Sequence, residues 1–305
     1  MTKGLKTLKT AKSDAVVAFA SGKGGTGKTS LAVNFAKHLS LLHNVVLRDL
    51  DVEEPDACIY FPNRIDINSK TSFTKIPIVD KAKCNLCGTC VEKCNFKAIA
   101  IIGETVSVFE ELCKGCLRCK NVCPQGAISF EDLRIGDIKE YQDEKLKILE
   151  GKLDTGNIHT KVLISDVKKI SLKNSDDLDK NIIDIYDCPP GTTCPMVEAV
   201  KDSDFVILVT EPTPFGLHDL DLAVEAVREL NKKFGVVINK SGENDPIIED
   251  YCSKNKIQLL EKIPFSIDIA KKCINGQLLY KEDWYKDRMD SLNKKLMDAI
   301  NGGEK

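Results

Sequence analysis

The 305-residue sequence predicts a doubly wound α/β fold, in which a mostly parallel sheet is covered on both faces and a small α+β domain is inserted. Continuous apolar runs, typical of buried parallel strands, alternate with helical periods such as 219–230. The runs lie at 15–20, 45–47, 182–186, 205–209 and 236–238. Between residues 76 and 132 the pattern changes to short segments punctuated by cysteine. We therefore expect residues 1–75 and 133–305 to form one domain and residues 76–132 to form the insert.

Composition limits the classes of partner. The 44 basic and 46 acidic residues leave a net charge of -2, which provides no general attraction to nucleic acid or anionic lipid. The N-terminus has no apolar signal core, and no run approaches the roughly 20 apolar residues that span a bilayer. We expect a cytoplasmic protein that binds no nucleic acid and no membrane.

The glycine-rich segment after the first apolar run has the strand, loop and helix order of a phosphate-binding loop. Its residues are Gly22, Lys23, Gly24, Gly25, Thr26, Gly27, Lys28, Thr29 and Ser30. Backbone N–H groups of such a loop surround phosphate oxygens, and the positive end of the following helix dipole favours the same anion. Lys28 is predicted to reach the terminal phosphates and Thr29 to offer its hydroxyl to Mg²⁺.

Eight of the thirteen cysteines lie between residues 84 and 123, in two copies of one spacing that repeat after 29 residues. In bacterial ferredoxins, three close thiolates bind one [4Fe-4S] cluster, and the fourth, more distant thiolate binds the other cluster. This rule predicts a first cysteine set of Cys84, Cys87, Cys90 and Cys123, and a second cysteine set of Cys94, Cys113, Cys116 and Cys119. Zinc is the alternative, although zinc modules rarely place three thiolates within seven residues twice. Asn95 departs from the motif, because proline usually follows the fourth cysteine.

Further motifs indicate one family for the phosphate loop and the cysteine insert together. Lys23 adds a second lysine to the phosphate loop, Asp49–Pro55 and Asp187–Gly191 each follow a predicted strand, and residues 211–219 begin Glu-Pro-Thr-Pro. With the cysteine insert, these motifs resemble the MinD, Mrp, ParA and nitrogenase iron protein superfamily, in the form that contains an inserted ferredoxin domain. The resemblance implies a P-loop NTPase with a deviant Walker A motif that binds ATP and Mg²⁺ and forms a homodimer.

The resemblance also implies residue roles. Lys23 would reach the partner's nucleotide, Asp51 would position the attacking water, and Asp187 would hold Mg²⁺ through water. Asp49 is a weaker assignment, and helix capping or turn formation is the alternative for each of these acids.

Two further segments concern the base of the nucleotide. Asn239 ends a predicted strand, at the sheet edge where open α/β folds bind ligands, and is the candidate for adenine. Guanine-specific P-loop proteins usually have aspartate three residues after that asparagine, whereas this chain has Gly242, which favours ATP. The loop around Pro264 resembles the family segment that closes over the base. Alternatively, Pro264 and Phe265 end a strand and fill the core.

Three functions remain open from the sequence. Nucleotide turnover in a dimer could gate electron transfer to a redox partner, the protein could deliver iron–sulfur or metal cofactors to a client metalloprotein, or it could be a positioning ATPase with structural clusters. Cys194 lies seven residues after Asp187, and in nitrogenase iron protein a cysteine at the matching distance after the switch aspartate is a cluster ligand. Two roles therefore remain for Cys194, a metal contact at the dimer interface or packing within the fold. The apolar face within 280–300 predicts a packing or dimer helix rather than a membrane helix.

Overall fold

A computed structural model describes residues 15–170 and 182–301. The sequence also predicts a solvated tail at residues 1–13 and a surface connection near 171–180, and both segments lie outside the described residues. The described strands are β1 Ala15–Ala20, β2 Asn44–Asp49, β3 Ile65–Val79, β4 Ile99–Ile102, β5 Thr105–Val108, β6 Ile128–Asp143, β7 Leu146–Leu153, β8 Ile182–Asp187, β9 Phe205–Thr210, β10 Phe234–Ser241 and β11 Leu259–Pro264. The α-helices are α1 Lys28–Ser40, α2 Thr89–Glu92, α3 Arg118–Asn121, α4 Thr160–Lys169, α5 Cys194–Val200, α6 Pro214–Glu229, α7 Pro246–Lys254, α8 Ile267–Ile274 and α9 Asp283–Asn301.

Nine strands form the main sheet, in the order β11-β10-β9-β1-β8-β2-β7-β6-β3. Neighbours from β11 to β7 are parallel, whereas β6 pairs antiparallel with both β7 and β3. Each of the five predicted apolar runs lies in a parallel strand, so the prediction of a mostly parallel α/β sheet is confirmed. The antiparallel edge formed by β6 and β3 was not part of that prediction.

Strand alternation divides the core into two layers. Val17 and Phe19 of β1 face a cluster built from α1, α8 and α9, whereas Ala18 and Ala20 face one built from α4, α5, α6 and α7. Successive side chains of a strand point to opposite faces of the sheet, so a continuous apolar run contributes apolar side chains to both core layers. The sheet is therefore covered on both faces, as predicted.

The C-terminal helix α9 packs on the core. Tyr285, Met289, Leu292 and Leu296 are at most 2% exposed and belong to the same cluster as Phe19. The predicted packing helix is confirmed, because the core covers the apolar face of α9. Within the described residues, no helix has both the length and the apolar character needed to cross a bilayer.

The insert is attached through a long two-stranded ribbon. β3 and β6 stay paired from Ile65 opposite Gln142 to Val79 opposite Ile128. The alternating residues of 135–153 predict a small hairpin or meander, and this segment forms the antiparallel pair β6 and β7, although β6 begins earlier, at Ile128. The predicted domain boundaries at 76 and 132 both fall inside the ribbon, so the strands run continuously from the main sheet into the insert.

Beyond the ribbon lie the short helices α2 and α3 and the two-stranded sheet β4–β5. Two small apolar clusters form the interior of this region, and cysteines are members of both. One cluster holds Cys113 with Ile76 and Ala98, and the other holds Cys90 with Ile99. A core this small supplies little hydrophobic stabilisation by itself.

Candidate functional site: a phosphate loop and two cysteine cavities

The phosphate loop joins β1 to α1. Gly25 and Gly27 have φ of 79° and 83°, a left-handed conformation that glycine adopts without strain. Gly27 is the N-cap of α1, and a Cβ built there would lie 2.2 Å from Nδ2 of Asn239. A side chain at Gly22 would lie 2.0 Å from the carbonyl oxygen of Asp219. Glycine is therefore required here both for backbone conformation and for close packing.

Lys28 and Asp187 meet beneath this loop. Nζ of Lys28 lies 2.5 Å from Oδ1 of Asp187, and both side chains are buried. Burial lowers the pKa of Lys28, but the charge and hydrogen bond of Asp187 outweigh burial and raise the pKa overall. Oδ2 of Asp187 and Oγ1 of Thr26 are buried and have no hydrogen-bond partner among the described residues. Two polar atoms at the loop thus remain available to a ligand.

Three carboxylates meet next to Lys28. One oxygen each of Asp49, Asp56 and Asp187 lies within 4.8 Å of the others, a separation at which one cation can contact all three. Asp56 also accepts a hydrogen bond from Thr29, the predicted Mg²⁺ ligand. The sequence prediction named Thr29 and Asp187 but missed Asp56.

The segment from Asp49 to Asp56, called the acidic loop below, is held by Asp49. The Asp49 carboxylate accepts hydrogen bonds from the backbone N–H groups of Asp51, Asp56 and Ala57. Burial, followed by the charge of Asp187, raises the pKa of Asp49 well above its usual value. Asp49 therefore fixes the path of the loop that presents Asp51 and Asp56.

Asp51 is partly buried near the same cation site. Burial raises its pKa to about 6, although the positive charge of Lys28 opposes the shift. A carboxyl whose pKa lies close to neutrality changes charge within the range where enzymes operate. This places the residue predicted to position water within the electrostatic influence of Lys28 and Asp187.

Lys23 is held within its own chain. Its Nζ lies 2.5 Å from Oε1 of Glu211, whose other oxygen lies 2.9 Å from Nζ of Lys240. Lys240 also donates to the carbonyl of Gly25 at 2.8 Å. Glu211 therefore bridges the predicted dimer lysine to a lysine that contacts the phosphate loop.

The predicted base-binding residues lie at the carboxyl edge of β10 and β11. Asn239 donates from Nδ2 to the carbonyl of Thr26 at 2.7 Å, so its amide braces the phosphate loop. Pro264 pairs in register with Ser241, and Pro264 and Phe265 are both exposed. The alternative that Phe265 fills the core is wrong, because the ring is 60% exposed. Ser30 is engaged elsewhere, with Oγ 3.1 Å from Sγ of Cys273 in α8.

The eight clustered cysteines line two cavities in the insert. One cavity is lined by the first cysteine set, Cys84, Cys87, Cys90 and Cys123. The other is lined by the second cysteine set, Cys94, Cys113, Cys116 and Cys119. Each fourth cysteine therefore lies with the three close cysteines of the other repeat.

The pKa shifts of Cys90 and Cys113 follow the same division into two cysteine sets. Burial raises the pKa of Cys90, and Cys123 and Cys84 raise it further. Burial likewise raises the pKa of Cys113, with further contributions from Cys116 and Cys94. Thiols grouped this way become good ligands once a cation compensates the thiolate charge.

Both cysteine repeats share one backbone conformation. Left-handed φ angles occur two and four residues after the first cysteine of each repeat, at Leu86 and Gly88 and again at Gly115 and Leu117. They recur three residues after each fourth cysteine, at Lys97 and Gly126. The internal sequence repeat is thus also a structural repeat, in which the chain wraps each cavity alike.

Cys194 begins α5 and is exposed, so it is not packed in the core. The structure does not bring it into either cysteine cavity. Its contact with metal stays a prediction.

A glycine loop that begins a helix, a buried lysine beneath it and a cluster of carboxylates define a P-loop nucleotide-binding protein. Residues 17–279 match the CbiA family, described as the CobQ/CobB/MinD/ParA nucleotide binding domain, and the chain belongs to this family. MinD and ParA proteins are ATPases of this family.

The relatives include proteins that match most of the chain. The uncharacterized protein MJ0579 of Methanocaldococcus jannaschii is 31% identical over 268 residues, which cover 87% of this chain and 91% of that protein. The septum site-determining protein MinD of Pyrococcus horikoshii, solved with Mg-ADP, has a TM-score of 0.56 at 19% identity and covers 94% of this chain and 98% of its own. This second likeness shows the fold.

A shorter similarity involves a different kind of protein. The polyferredoxin protein MvhB of Methanothermobacter thermautotrophicus is 35% identical over 65 residues, which cover 21% of this chain and 16% of that protein.

Proposed function

We propose that this protein is an ATP-hydrolysing iron–sulfur protein, in which a nucleotide-driven rearrangement of a homodimer gates electron transfer through two [4Fe-4S] clusters to a redox partner. One observation carries the proposal. The same chain contains a phosphate loop with three adjoining carboxylates and two cavities that are each lined by four cysteines. The short similarity to a polyferredoxin supports the second half of this combination.

The nucleotide site fits Mg²⁺ and ATP. The backbone N–H groups of the loop and the start of α1 favour phosphate, and Lys28 carries a buried positive charge at the same place. Mg²⁺ prefers oxygen ligands, and the hydroxyl of Thr29 and the unpartnered Oδ2 of Asp187 supply them. Binding of Mg²⁺ to Asp187 would release Lys28 toward the phosphates.

Asp51 would act as the acceptor that orients the attacking water. Phosphoryl transfer depends mainly on positioning and on stabilisation of charge, so a carboxylate fixed by the acidic loop is sufficient for this role. Lys28 would offset the charge that develops on the transferred phosphoryl group. Asn239 and Pro264 would contact the adenine at the neighbouring sheet edge.

The dimer role of Lys23 requires a change of partner. In the single chain Lys23 pairs with Glu211, and it is about one-third exposed. A phosphate group of a second subunit would compete with Glu211 for this ammonium, because both ligands are anionic oxygens. Formation of the dimer would therefore exchange one ion pair for another.

The two cysteine sets fit [4Fe-4S] clusters. Each set supplies four sulfur ligands around one cavity, and the left-handed residues let the chain turn tightly around it. A bound cluster would supply reversible one-electron chemistry. The protein would supply the ligands, the enclosure and the fixed position relative to the nucleotide site.

The experiment that tests this proposal starts from anaerobically purified protein. We expect about eight irons per chain, a reduced-state EPR signal and heat of binding on addition of Mg·ATP. The rate of electron exchange should then depend on ATP. Colourless, iron-free protein would exclude the clusters, and absence of heat would exclude the proposed nucleotide site.

A cofactor carrier is the second candidate, and it is favoured by one observation. Cys87 and Cys116, one in each cavity, are exposed, as is Cys194. Exposed ligands are accessible to exchange with the thiols of an acceptor protein. Transfer of iron and sulfide to an apo-acceptor, without ATP-dependent electron exchange, would favour this function over the first.

A further inference from the structure

Helix α4 lies between the acidic loop and the cysteine insert. His159, which precedes α4, is 3% exposed, and its Nε2 lies 2.8 Å from the carbonyl oxygen of Cys113. Because a carbonyl oxygen only accepts, Nε2 is the donor. The other ring nitrogen, Nδ1, lies 2.7 Å from Oδ1 of Asn157, but in the neutral ring it has no proton to donate to that oxygen, so the contact to Cys113 is the one that orients the imidazole.

The next residue contacts the nucleotide site. Oγ1 of Thr160 donates to Oε1 of Glu53 at 2.9 Å, and Glu53 belongs to the acidic loop. The backbone next to Glu53 is also hydrogen-bonded to β7, because the carbonyl oxygen of Val52 accepts from the N–H of Leu153 at 2.8 Å. Two consecutive residues thus join a cysteine of the second cysteine set to the loop that carries Asp51 and Asp56.

The far end of α4 is tied to the same site. Arg48, directly before Asp49, donates to the carbonyls of Val167 and Ile170 at 2.8 and 2.9 Å. Lys168 donates to the carbonyl of Glu198 in α5, the helix that follows the Asp187 segment. Both ends of the helix therefore contact elements of the nucleotide site.

The first cysteine set has a different environment. Its hydrogen bonds come from within the insert. The Cys84 N–H donates to the carbonyl oxygen of Asp80, Sγ of Cys87 lies 3.4 Å from Oγ1 of Thr89, and the Ala127 N–H donates to Sγ of Cys123. Among the described residues, the contact from His159 to Cys113 has no counterpart in the first set. The two cavities therefore differ in their connection to the acidic loop.

We propose that His159 is a positioning residue that, together with Thr160, transmits the nucleotide state of the acidic loop to the segment from Cys113 to Cys119. The second cysteine set then responds to nucleotide, and the first does not. This inference rests on the proposed function, since it requires both nucleotide and clusters to bind. It identifies which of the two clusters is regulated and by which residues.

The test uses anaerobic holoprotein with Mg·ADP, with a non-hydrolysable Mg·ATP analogue, and without nucleotide. Hydrogen exchange is measured by mass spectrometry in the segments 110–119 and 84–90, and the EPR spectra and midpoint potentials of both clusters are recorded. We expect the analogue to change exchange in 110–119 by about fivefold or more, the low end of allosteric coupling, and to leave 84–90 unchanged. The potential of one cluster alone should shift with nucleotide.

Three variants and one control separate coupling from packing. Thr160→Val breaks the contact to Glu53 and keeps His159 on Cys113, so iron content and the nucleotide-free spectrum should be those of wild type while the response in 110–119 is lost. Thr160→Ser keeps the hydroxyl and should restore the response. His159→Ala should lose the response as well. The control is His38→Ala, which removes a buried histidine that contacts Asp290 instead, and it should keep the response.

The outcomes are distinguishable. If calorimetry detects no nucleotide binding, or iron is absent, the proposed function fails and the coupling fails with it. If nucleotide and about eight irons bind, but 110–119 shows no response or both segments respond equally, the coupling alone is overturned. Retention of the response in Thr160→Val would also overturn it.

Discussion

Nζ of Lys28 lies 2.5 Å from Oδ1 of Asp187, and together they form a buried ion pair across the strand ends of the nucleotide site. Each residue has a separate predicted ligand, phosphate for Lys28 and Mg²⁺ for Asp187. Within the chain, the charge of Lys28 compensates that of Asp187, while Oδ2 of Asp187 has no hydrogen-bond partner among the described residues. Mg·ATP would replace this ion pair with two new contacts, one between Lys28 and phosphate and one between Asp187 and Mg²⁺, so no buried charge would be left uncompensated. Both side chains therefore lie at the site before the ligand binds.

Lys28→Ala should abolish nucleotide binding and also destabilise the protein. Removal of one partner leaves the other charge buried and unpaired, a loss of roughly 3–5 kcal/mol. Calorimetric titration with Mg·ATP and chemical denaturation measure the two effects. The double variant Lys28→Met with Asp187→Asn should regain much of the stability and none of the binding. Equal instability of the single and double variants would contradict this account of the pair.

ATP hydrolysis should depend on the ionisation of Asp51. The pKa of about 6 predicts that the rate falls to half near that pH as the medium is acidified, because a protonated carboxyl is a poorer acceptor for water. Asp51→Asn should bind Mg·ATP normally and turn over little at any pH. The rate of phosphate release between about pH 5 and 8 provides the check. Normal turnover in Asp51→Asn would show that another group positions the water.

The same residue predicts a pH effect on stability. The pKa of Asp51 is higher in the folded state than its ordinary value, so the stability that it contributes is fully present below the ordinary value and is lost as the pH rises through about 6. Asp51→Asn should therefore raise Tm more at about pH 8 than at about pH 5. Glu54→Gln, a change at a neighbouring exposed acid, should show no such difference.

Asp56→Ala should weaken Mg²⁺-dependent binding specifically. Asp56 shares a possible cation site with Asp49 and Asp187, and loss of a group next to a metal typically lowers affinity by about ten- to hundredfold. ATP affinity is compared with Mg²⁺ and with EDTA, and only the Mg²⁺ value should fall. Glu54→Ala is the matched control. An equal loss under both conditions would mean that Asp56 acts through the fold of the loop.

Cys123→Ser and Cys94→Ser should each damage the cluster of the opposite repeat. The cavities place Cys123 with Cys84, and Cys94 with Cys113. Each variant should lose about half of the iron and the magnetic interaction between the clusters. Cys252→Ser, at a buried cysteine in α7, should retain all of it. Loss of both clusters in either variant would mean that one cluster cannot be held alone.

Removal of iron should unfold the insert and leave the main domain folded. Cysteines are members of both small clusters inside the insert, whereas the main sheet has two large apolar layers of its own. Metal ligation then supplies much of the folding free energy of the insert. After chelation, limited proteolysis should cut within 80–127 while Mg·ATP still binds. Loss of nucleotide binding on chelation would contradict this independence.

Local patterns predicted the parts of the molecule that depend on local sequence. The phosphate loop and the cysteine sets follow from spacing alone, and the apolar runs predicted the parallel strands β1, β2, β8, β9 and β10 but not the parallel strands β7 and β11. β3 was missed because its side chains are largely exposed at the sheet edge and because Pro77 interrupts the strand pattern. Asp56 and His159 were missed for another reason. They acquire their roles from long-range contacts, such as that between His159 and Cys113, 46 residues apart in sequence, which no short motif encodes.

The paired strands β3 and β6 connect the insert to the main sheet through continuous hydrogen-bonded structure and not through a flexible linker. Paired strands rise roughly 3.3 Å per residue, so a small tilt where the ribbon leaves the sheet becomes a much larger sweep at its tip. A partner docked on that tip would then be displaced further than the phosphate loop. Under the proposed function, a tilt of a few degrees would change the distance between the clusters of the insert and a docked redox partner.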